Sequence, residues 1–154
     1  GLAGVAEGVR RIAGAHPDLA IVVPLHPNPL VRERLGGPLE DLESVLLTEP
    51  LGYAAFARLL KRAKLVITDS GGIQEEAPTF GVPVLVMRDT TERPEGIEAG
   101  VARLVGTDRG RIVTEAEHLL RDPAAHAAMA RRVNPYGDGR AASRIANILL
   151  EETA

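Results

Sequence analysis

Cysteine is absent from the 154 residues, tryptophan is absent as well, and the aromatic residues are limited to two tyrosines and two phenylalanines. Without a thiol the protein has no disulfide, no cysteine nucleophile and no metal held by cysteine. Its four histidines are scattered along the chain, at spacings that do not suit paired ligands on one helix face. The sequence therefore predicts a protein without thiol chemistry and without a bound metal.

The chain also lacks any run of eighteen apolar residues and any signal-peptide pattern, so we expect a cytoplasmic protein that does not enter the membrane. Its net charge of −3 gives no electrostatic case for nucleic acid or an anionic membrane. The balance of 45% hydrophobic and 25% charged residues is typical of one globular domain, which we expect to span residues 1–154. Because the sequence begins without methionine and inside a predicted helix, we expect the C-terminal part of a longer protein.

Strand and helix patterns alternate along the chain. Nearly continuous apolar runs, typical of strands buried on both faces, lie at 19–24, 45–48, 65–68, 83–87 and 102–105. Helices are predicted at 3–15, 52–63, 70–80, 108–121, 123–131 and 140–152. This alternation predicts an α/β fold with a Rossmann-like parallel sheet and helices on both faces. Ligands of such sheets bind beyond the carboxyl ends of the strands.

The stretch at residues 70–76, SGGIQEE, follows the apolar run 65–68 and begins a predicted helix. Two consecutive glycines allow a ligand to approach the backbone closely, and the first helical amides have no partner within the helix. Those amides and the helix dipole favour a bound phosphate. Ser70 adds a hydroxyl at the N-cap, and Glu76 lies within reach of a sugar attached to that phosphate. Alternatively, Ser70 only caps the helix and the glycines only form a tight turn.

Residues 88–95, RDTTERPE, follow the next predicted strand and contain two arginines among acids and threonines. Composition alone favours a solvated surface loop. Its position after a strand that neighbours the 70–76 stretch favours a ligand-binding loop instead. Arg93 is suited to bind a diphosphate or a sugar, because a guanidinium group forms paired hydrogen bonds.

Two further features give weaker signals. Tyr53 and Phe56 are predicted on the inner side of the helix at 52–63, where core packing is the first interpretation and a base pocket the second. His26 lies in a proline-rich turn at a strand end, which favours a structural histidine over one that contacts a ligand. Neither a nucleophile triad nor a G-x-G-x-x-G motif is present. The residues by themselves thus favour a nucleotide-sugar-binding protein without a redox cofactor.

The segment DSGGIQEEAPTFGVPVLVMRDTTERPE at 69–95, followed by RLVGTD and NPYGDG, resembles the non-hydrolysing bacterial UDP-N-acetylglucosamine 2-epimerases. The SGG-x-QEE part is shared loosely with glycosyltransferases, whereas RDTTERPE and NPYGDG are more specific to the epimerases. The resemblance implies the C-terminal half of an architecture with two Rossmann-like domains, similar to glycosyltransferase-B proteins. It also implies that the helix at about 140–152 crosses toward an N-terminal domain and that the parent protein is a homodimer of the bacterial cell-envelope polysaccharide pathways.

The resemblance further implies a reaction and a set of site residues. Members of the family interconvert UDP-GlcNAc and UDP-ManNAc by elimination and re-addition of UDP, with neither NAD nor metal. The catalytic acid–base carboxylates of the family lie in the N-terminal domain, so none is expected in this chain. The implied UDP-binding residues are Ser70, Gly71, Gly72, Glu76, Phe56 and Arg93. His26 would correspond to a histidine that contacts a second, allosteric UDP-GlcNAc.

Two alternatives remain open from the sequence. The chain could be the donor-binding half of a UDP-sugar glycosyltransferase, or a stand-alone nucleotide-sugar-binding module. The 88–95 loop distinguishes the epimerase from the glycosyltransferase. An upstream Rossmann-like domain would distinguish the epimerase from the stand-alone module.

Overall fold

The computed structural model describes residues 1–131 and 134–152. Its strands are β1 (Ile21–Pro24), β2 (Val45–Thr48), β3 (Val66–Thr68), β4 (Val84–Val86) and β5 (Ala102–Leu104). Its α-helices are α1 (Leu2–Ala15), α2 (Pro29–Val31), α3 (Tyr53–Arg62), α4 (Gly71–Glu76), α5 (Pro94–Glu98), α6 (Arg109–Arg121), α7 (Pro123–Met129) and α8 (Ala141–Glu152). A π-helical turn (Arg32–Gly36) and two 3-10 helices (Gly37–Leu39 and Ala77–Phe80) complete the described elements.

All the described strand pairs are parallel, and their backbone hydrogen bonds divide them between β1–β2 and β3–β4–β5. Ile21 of β1 and Ile67 of β3 both pack against the cluster that contains Leu85 and Val105, so the two groups of strands share one core. The predicted parallel sheet is confirmed, although the hydrogen-bonded ladder is interrupted between β1 and β3 within the described residues.

Helices cover both faces of the sheet, as the sequence predicts. Leu85 of β4 points into a cluster formed with α1, α6 and α7, where Ile112 is fully buried. Val84 and Val86 point to the opposite face and pack with α3 and the 3-10 helix at Ala77–Phe80. This alternation follows from the two-residue period of a strand, and it explains why both faces of β4 are apolar.

The predicted helix at 70–80 is divided into α4 and the 3-10 helix Ala77–Phe80. Pro78 lacks the N–H that would donate to the carbonyl group of Gln74, so the α-helical pattern cannot continue through it. Gly81 then ends the helical segment in the left-handed region at φ 74°. Helix α4 begins just after β3, and β3 pairs in parallel with β4. The start of α4 therefore lies near the carboxyl ends of both strands.

Helix α8 carries apolar side chains that are exposed in this structure, among them Ile145 at 57% and Ile148 at 54%. Among the described residues, no helix combines the length and apolar character needed to cross a membrane. The predicted single domain at 1–154, and the predicted crossing of α8 toward an N-terminal domain, stay predictions.

Candidate functional site

The turn at residues 70–72, here called the Ser70 turn, connects β3 to α4. Ser70 is the N-cap in an extended conformation, and its hydroxyl makes no capping hydrogen bond. The backbone N–H of Ser70 instead donates to Thr68 Oγ1 at 3.1 Å. Within the described residues, the amides of Gly71, Gly72 and Ile73 have no hydrogen-bond acceptor. The turn therefore presents a hydroxyl and three backbone donors to a ligand.

Neither glycine of this turn has a positive φ angle, and only Gly71 has little space for a side chain. A Cβ atom on Gly71 would lie 3.1 Å from Glu92 Oε1 and 3.5 Å from Arg93 Nη2. The 88–95 loop therefore lies directly against the turn, as its position after β4 predicts. Any side chain at Gly71 would compete for the space between the turn and the Arg93 guanidinium group.

Arg93 is the N-cap residue of α5, and an acidic neighbour holds its side chain. Its Nε donates to Glu75 Oε1, and Glu92 Oε1 lies 3.7 Å from Nη1. The hydrogen bond to Glu75 is the main reason why the pKa of Arg93 is raised, with burial acting in the opposite direction. Arg93 is therefore a fixed cation beside the amides of the Ser70 turn.

Gln74 and Thr91 connect the Ser70 turn to the 88–95 loop, although neither residue was among the predicted site residues. Gln74 Nε2 donates to the Ser70 carbonyl oxygen at 3.3 Å, and Thr91 Oγ1 donates to Gln74 Oε1 at 2.7 Å. The backbone N–H of Arg93 donates to Thr91 Oγ1 at 3.1 Å. Gln74 is completely buried.

Glu76 lies on α4, about one and a half turns beyond Ser70, and borders an open cavity of about 550 Å³. The NPYGDG loop at 134–139 and the start of α8 form the other side of this cavity. Its polar lining comes from Glu75, Glu76, Thr79, Asn134, Tyr136, Asp138 and Arg144. A carboxylate beside a cavity with a polar lining can accept hydrogen bonds from the hydroxyls of a sugar.

Asp138 and Tyr136 hold the 134–139 loop at this cavity. Arg144 donates to both carboxylate oxygens of Asp138, at 2.9 and 2.6 Å, and these bonds are the main cause of its lowered pKa. The Tyr136 hydroxyl is buried against Gly96 of α5, with no hydrogen-bond partner among the described residues, and burial raises its pKa. The glycines of this loop adopt positive φ angles, 150° at Gly137 and 76° at Gly139.

The two aromatic residues of α3 differ in their surroundings. Phe56 is half-buried and packs into the cluster that contains Ile73 and Ala77, so it lies against the helical segment that carries Glu76. Tyr53 is 73% exposed, so its predicted place on the inner side of the helix is wrong. Tyr53 is the first residue of α3, and its exposure means that no described element covers the helix at that position.

His26 lies apart from the residues above, at the end of β1. The residues that follow β1, at 26–29, are here called the His26 turn. His26 is exposed, and its Nδ1 accepts a hydrogen bond from the Asn28 amide at 3.1 Å. Among the described residues, no hydrogen bond or ion pair connects it to the Ser70 turn. The structural interpretation of His26 therefore has direct support, whereas its allosteric role stays a prediction.

No group of three or more His, Asp or Glu side chains is arranged to hold a metal ion in the part of the chain that the structure describes. The donors near the Ser70 turn are amides, hydroxyls and guanidinium groups, which bind anions and sugar hydroxyls.

Comparisons with known proteins agree with this geometry. A sequence profile of UDP-N-acetylglucosamine 2-epimerase matches residues 2–150. UDP-N-acetylglucosamine 2-epimerase from Escherichia coli strain K12 is 52% identical over 145 residues, which are 94% of this chain and 39% of the relative. The crystal structure of UDP-GlcNAc 2-epimerase from Neisseria meningitidis bound to UDP-GlcNAc aligns with a TM-score of 0.94 at 40% identity, covering 98% of this chain and 41% of that one.

A second solved structure gives the same result. The putative UDP-N-acetylglucosamine 2-epimerase from Listeria monocytogenes aligns with a TM-score of 0.93 at 48% identity, over 99% of this chain and 40% of that chain. The chain thus spans about two fifths of the length of the relatives that it matches. With nearly all of its residues matched by the family profile, the chain belongs to the UDP-N-acetylglucosamine 2-epimerase family.

Proposed function

We propose that this chain is the UDP-binding half of an enzyme that interconverts UDP-GlcNAc and UDP-ManNAc by elimination and re-addition of UDP. The observation that carries the proposal is the set of free amides at the Ser70 turn, with Arg93 fixed beside Gly71. The relative from Neisseria meningitidis, which has almost the same fold over this region, has a structure bound to UDP-GlcNAc.

The Ser70 turn would bind the diphosphate. When the bond between C1 and the phosphate oxygen breaks, negative charge develops on the β-phosphate of the leaving UDP. The amides of Gly71 and Gly72 and the Arg93 guanidinium group would stabilise that charge, because they are already oriented before the reaction. Ser70 would add a hydroxyl donor to the same phosphate.

Glu76 and Phe56 would bind the nucleoside. The two ribose hydroxyls are adjacent donors, which match the two acceptor oxygens of the Glu76 carboxylate. Phe56 packs against the same helical segment and would contact the uracil ring. We propose that His26 does not belong to this binding site, because it follows β1 and forms a local turn.

The C2 proton would be moved by groups outside this chain. Elimination and re-addition cause no net oxidation, so the proposed reaction requires no nicotinamide. It does require an acid and a base at C2. Near the Ser70 turn, Glu75 is already paired with Arg93, and Glu76, which lines the neighbouring cavity, is assigned to the ribose in this proposal. We therefore propose that a second Rossmann-like domain of a homodimeric parent protein supplies the proton-transfer groups.

Calorimetric titration of this chain with UDP and with inorganic pyrophosphate tests the proposal. Charge-assisted hydrogen bonds contribute about 1.5–3 kcal/mol, so Glu76→Ala should weaken UDP binding roughly ten- to a hundredfold. Pyrophosphate has no ribose, so its affinity should stay unchanged or rise slightly when a carboxylate is removed. The exposed Glu98, on α5, provides a matched control: Glu98→Ala should leave both affinities unchanged.

Two results would contradict the proposal. If the wild-type chain binds no UDP, the phosphate-binding turn has been assigned wrongly. If Glu76→Ala weakens UDP and pyrophosphate equally, Glu76 supports the shape of the turn, and its contact with the ribose is wrong.

A further inference from the structure

We propose that Gln74 and Thr91 are positioning residues, which hold Arg93 in place at the Ser70 turn without touching the ligand. The ligand in this inference, a nucleoside diphosphate, rests on the proposed function. The positioning of Arg93 itself rests on contacts within the chain.

The hydrogen bonds of this connection have a single direction. The Ser70 carbonyl oxygen only accepts, so the Gln74 amide group must present its nitrogen there, at 3.3 Å. Gln74 Oε1 then faces Thr91, whose hydroxyl must donate to it at 2.7 Å. The lone pairs of Thr91 Oγ1 are left to accept from the Arg93 N–H, at 3.1 Å. The Ser70 carbonyl oxygen can only accept and the Arg93 N–H can only donate, so no alternative orientation of the Gln74 amide satisfies all three hydrogen bonds.

Burial makes the connection stiff. Gln74 is completely buried, and losing one of its hydrogen bonds would leave a polar group unsatisfied in an apolar environment. Thr91 is half-buried, and its hydroxyl is both donor and acceptor in the chain of bonds. A serine at position 91 could keep both bonds, whereas a valine of nearly the same shape could keep neither.

Helix α4 is connected both to the backbone and to the side chain of Arg93. Gln74 reaches the backbone of Arg93 through Thr91, and the next residue, Glu75, accepts from the Nε of its guanidinium group. The guanidinium group is thereby held 3.5 Å from the position of a Cβ on Gly71. A cation that is oriented beforehand loses less conformational entropy when it binds an anion. Gln74 and Thr91 therefore act on affinity through Arg93.

The test compares Thr91→Val with Thr91→Ser and with Thr90→Val, using UDP as the titrated ligand. Thr91→Val should weaken UDP binding about tenfold, because Arg93 would no longer be held at the turn; a tenfold loss corresponds to about one hydrogen bond. Thr91→Ser should restore nearly all of that affinity. Thr90 is the exposed neighbour, so Thr90→Val should leave the affinity unchanged.

A double-mutant cycle shows whether Thr91 acts through Arg93. In an Arg93→Ala background, Thr91→Val should change UDP affinity by less than about twofold, because the group that it positions is gone. If the two substitutions are additive, Thr91 acts elsewhere and the inference is overturned. If Thr91→Val does not fold, Thr91→Ala removes the same hydroxyl from a half-buried site and gives the same cycle.

An NMR measurement separates this inference from the proposed function. The Arg93 Nε–H, bonded to Glu75, should exchange slowly with solvent in the wild type and in Thr91→Ser, and faster in Thr91→Val. Unchanged exchange in Thr91→Val overturns the inference even if UDP binds. Absence of UDP binding to the wild type contradicts the proposed function, while the exchange of Arg93 Nε–H still decides whether Thr91 holds Arg93.

Discussion

The Ser70 turn and the His26 turn both follow a parallel strand, and both contain polar residues, but they are built differently. The hydrogen bonds of the His26 turn are local, since the Asn28 amide donates to His26 and the Leu30 amide donates to Asn28. At the Ser70 turn, hydrogen bonds connect α4 to residues that are 17 and 18 positions further along the chain. The first turn is complete by itself, whereas the second brings two distant segments together.

This difference separates a turn that shapes the chain from a turn that is prepared for a ligand. In the His26 turn the polar groups satisfy one another in an exposed position. At the Ser70 turn the buried connection satisfies the carbonyl group of Ser70, while the Ser70 hydroxyl and the next three amides have no partner within residues 1–131 and 134–152. Polar groups near a strand end therefore indicate a ligand-binding site only when it is known which of them already have a hydrogen-bond partner within the protein.

The largest expected effect is at Arg93, which is compared with an arginine that lies a few residues after the His26 turn. Arg93 pairs with Glu75, and Arg32, on the π-helical turn that follows α2, pairs with Glu49 at 2.8 Å. Arg93→Ala should weaken UDP binding by up to about a hundredfold, since it removes a charge-assisted contact. Arg32→Ala should leave it unchanged. Equal losses in calorimetric titrations would show that both arginines act only on the general charge of the domain.

A smaller effect concerns the packing that joins the 134–139 loop to α5. A Cβ atom on Gly96 would overlap the Tyr136 hydroxyl, while the Cζ atom lies 3.4 Å away. Gly96→Ala should therefore lower the free energy of unfolding by about 1–3 kcal/mol, as overpacking does. In a Tyr136→Phe background the loss should nearly vanish.

Urea denaturation measures both values. Gly14→Ala in α1, where no atom lies within 4 Å of the added Cβ, is the control and should not destabilise the protein. If Gly96→Ala lowered the free energy of unfolding equally with and without the Tyr136 hydroxyl, the contact between Gly96 and Tyr136 would not be the cause of the destabilisation.

The smallest expected effect is at His26. Because its ring accepts a hydrogen bond from the Asn28 amide and lies apart from the Ser70 turn, His26→Ala should change UDP affinity by less than about twofold. The comparison of the two turns would fail if titration showed a tenfold loss, since His26 would then contact the same ligand.

Much of the fold could be predicted from the sequence, because the strands are buried on both faces. A strand such as β4, whose Val84, Leu85 and Val86 are all completely buried, has to be apolar at every position. Helix boundaries were less certain where a competing constraint acted. Pro78 divides the helix predicted at 70–80, and the exposed Tyr53 shows that helical spacing does not tell how far the covering surface extends.

For the candidate site, the sequence was sufficient to predict which residues come together at the strand ends. Ser70 and Arg93 come together because the carboxyl ends of β3 and β4 are adjacent in a parallel sheet. The partnership of Gln74 with Thr91 was not predictable. Residues that are 17 positions apart meet only through tertiary packing, and a glutamine in a helix is usually a surface residue. The roles of the predicted ligand-binding residues stay predictions.

The carboxylates of α4 and the 88–95 loop outnumber their guanidinium groups, and Arg93 is already paired with one of them. An anion that approaches from a distance therefore meets no net attraction from this part of the surface. Electrostatic steering would not accelerate its encounter with the Ser70 turn, and added salt would not slow it, unlike at a site lined by unpaired arginines. The selectivity for a nucleoside diphosphate would arise after contact, from short-range hydrogen bonds, and would be expressed mainly in the rate at which the ligand leaves.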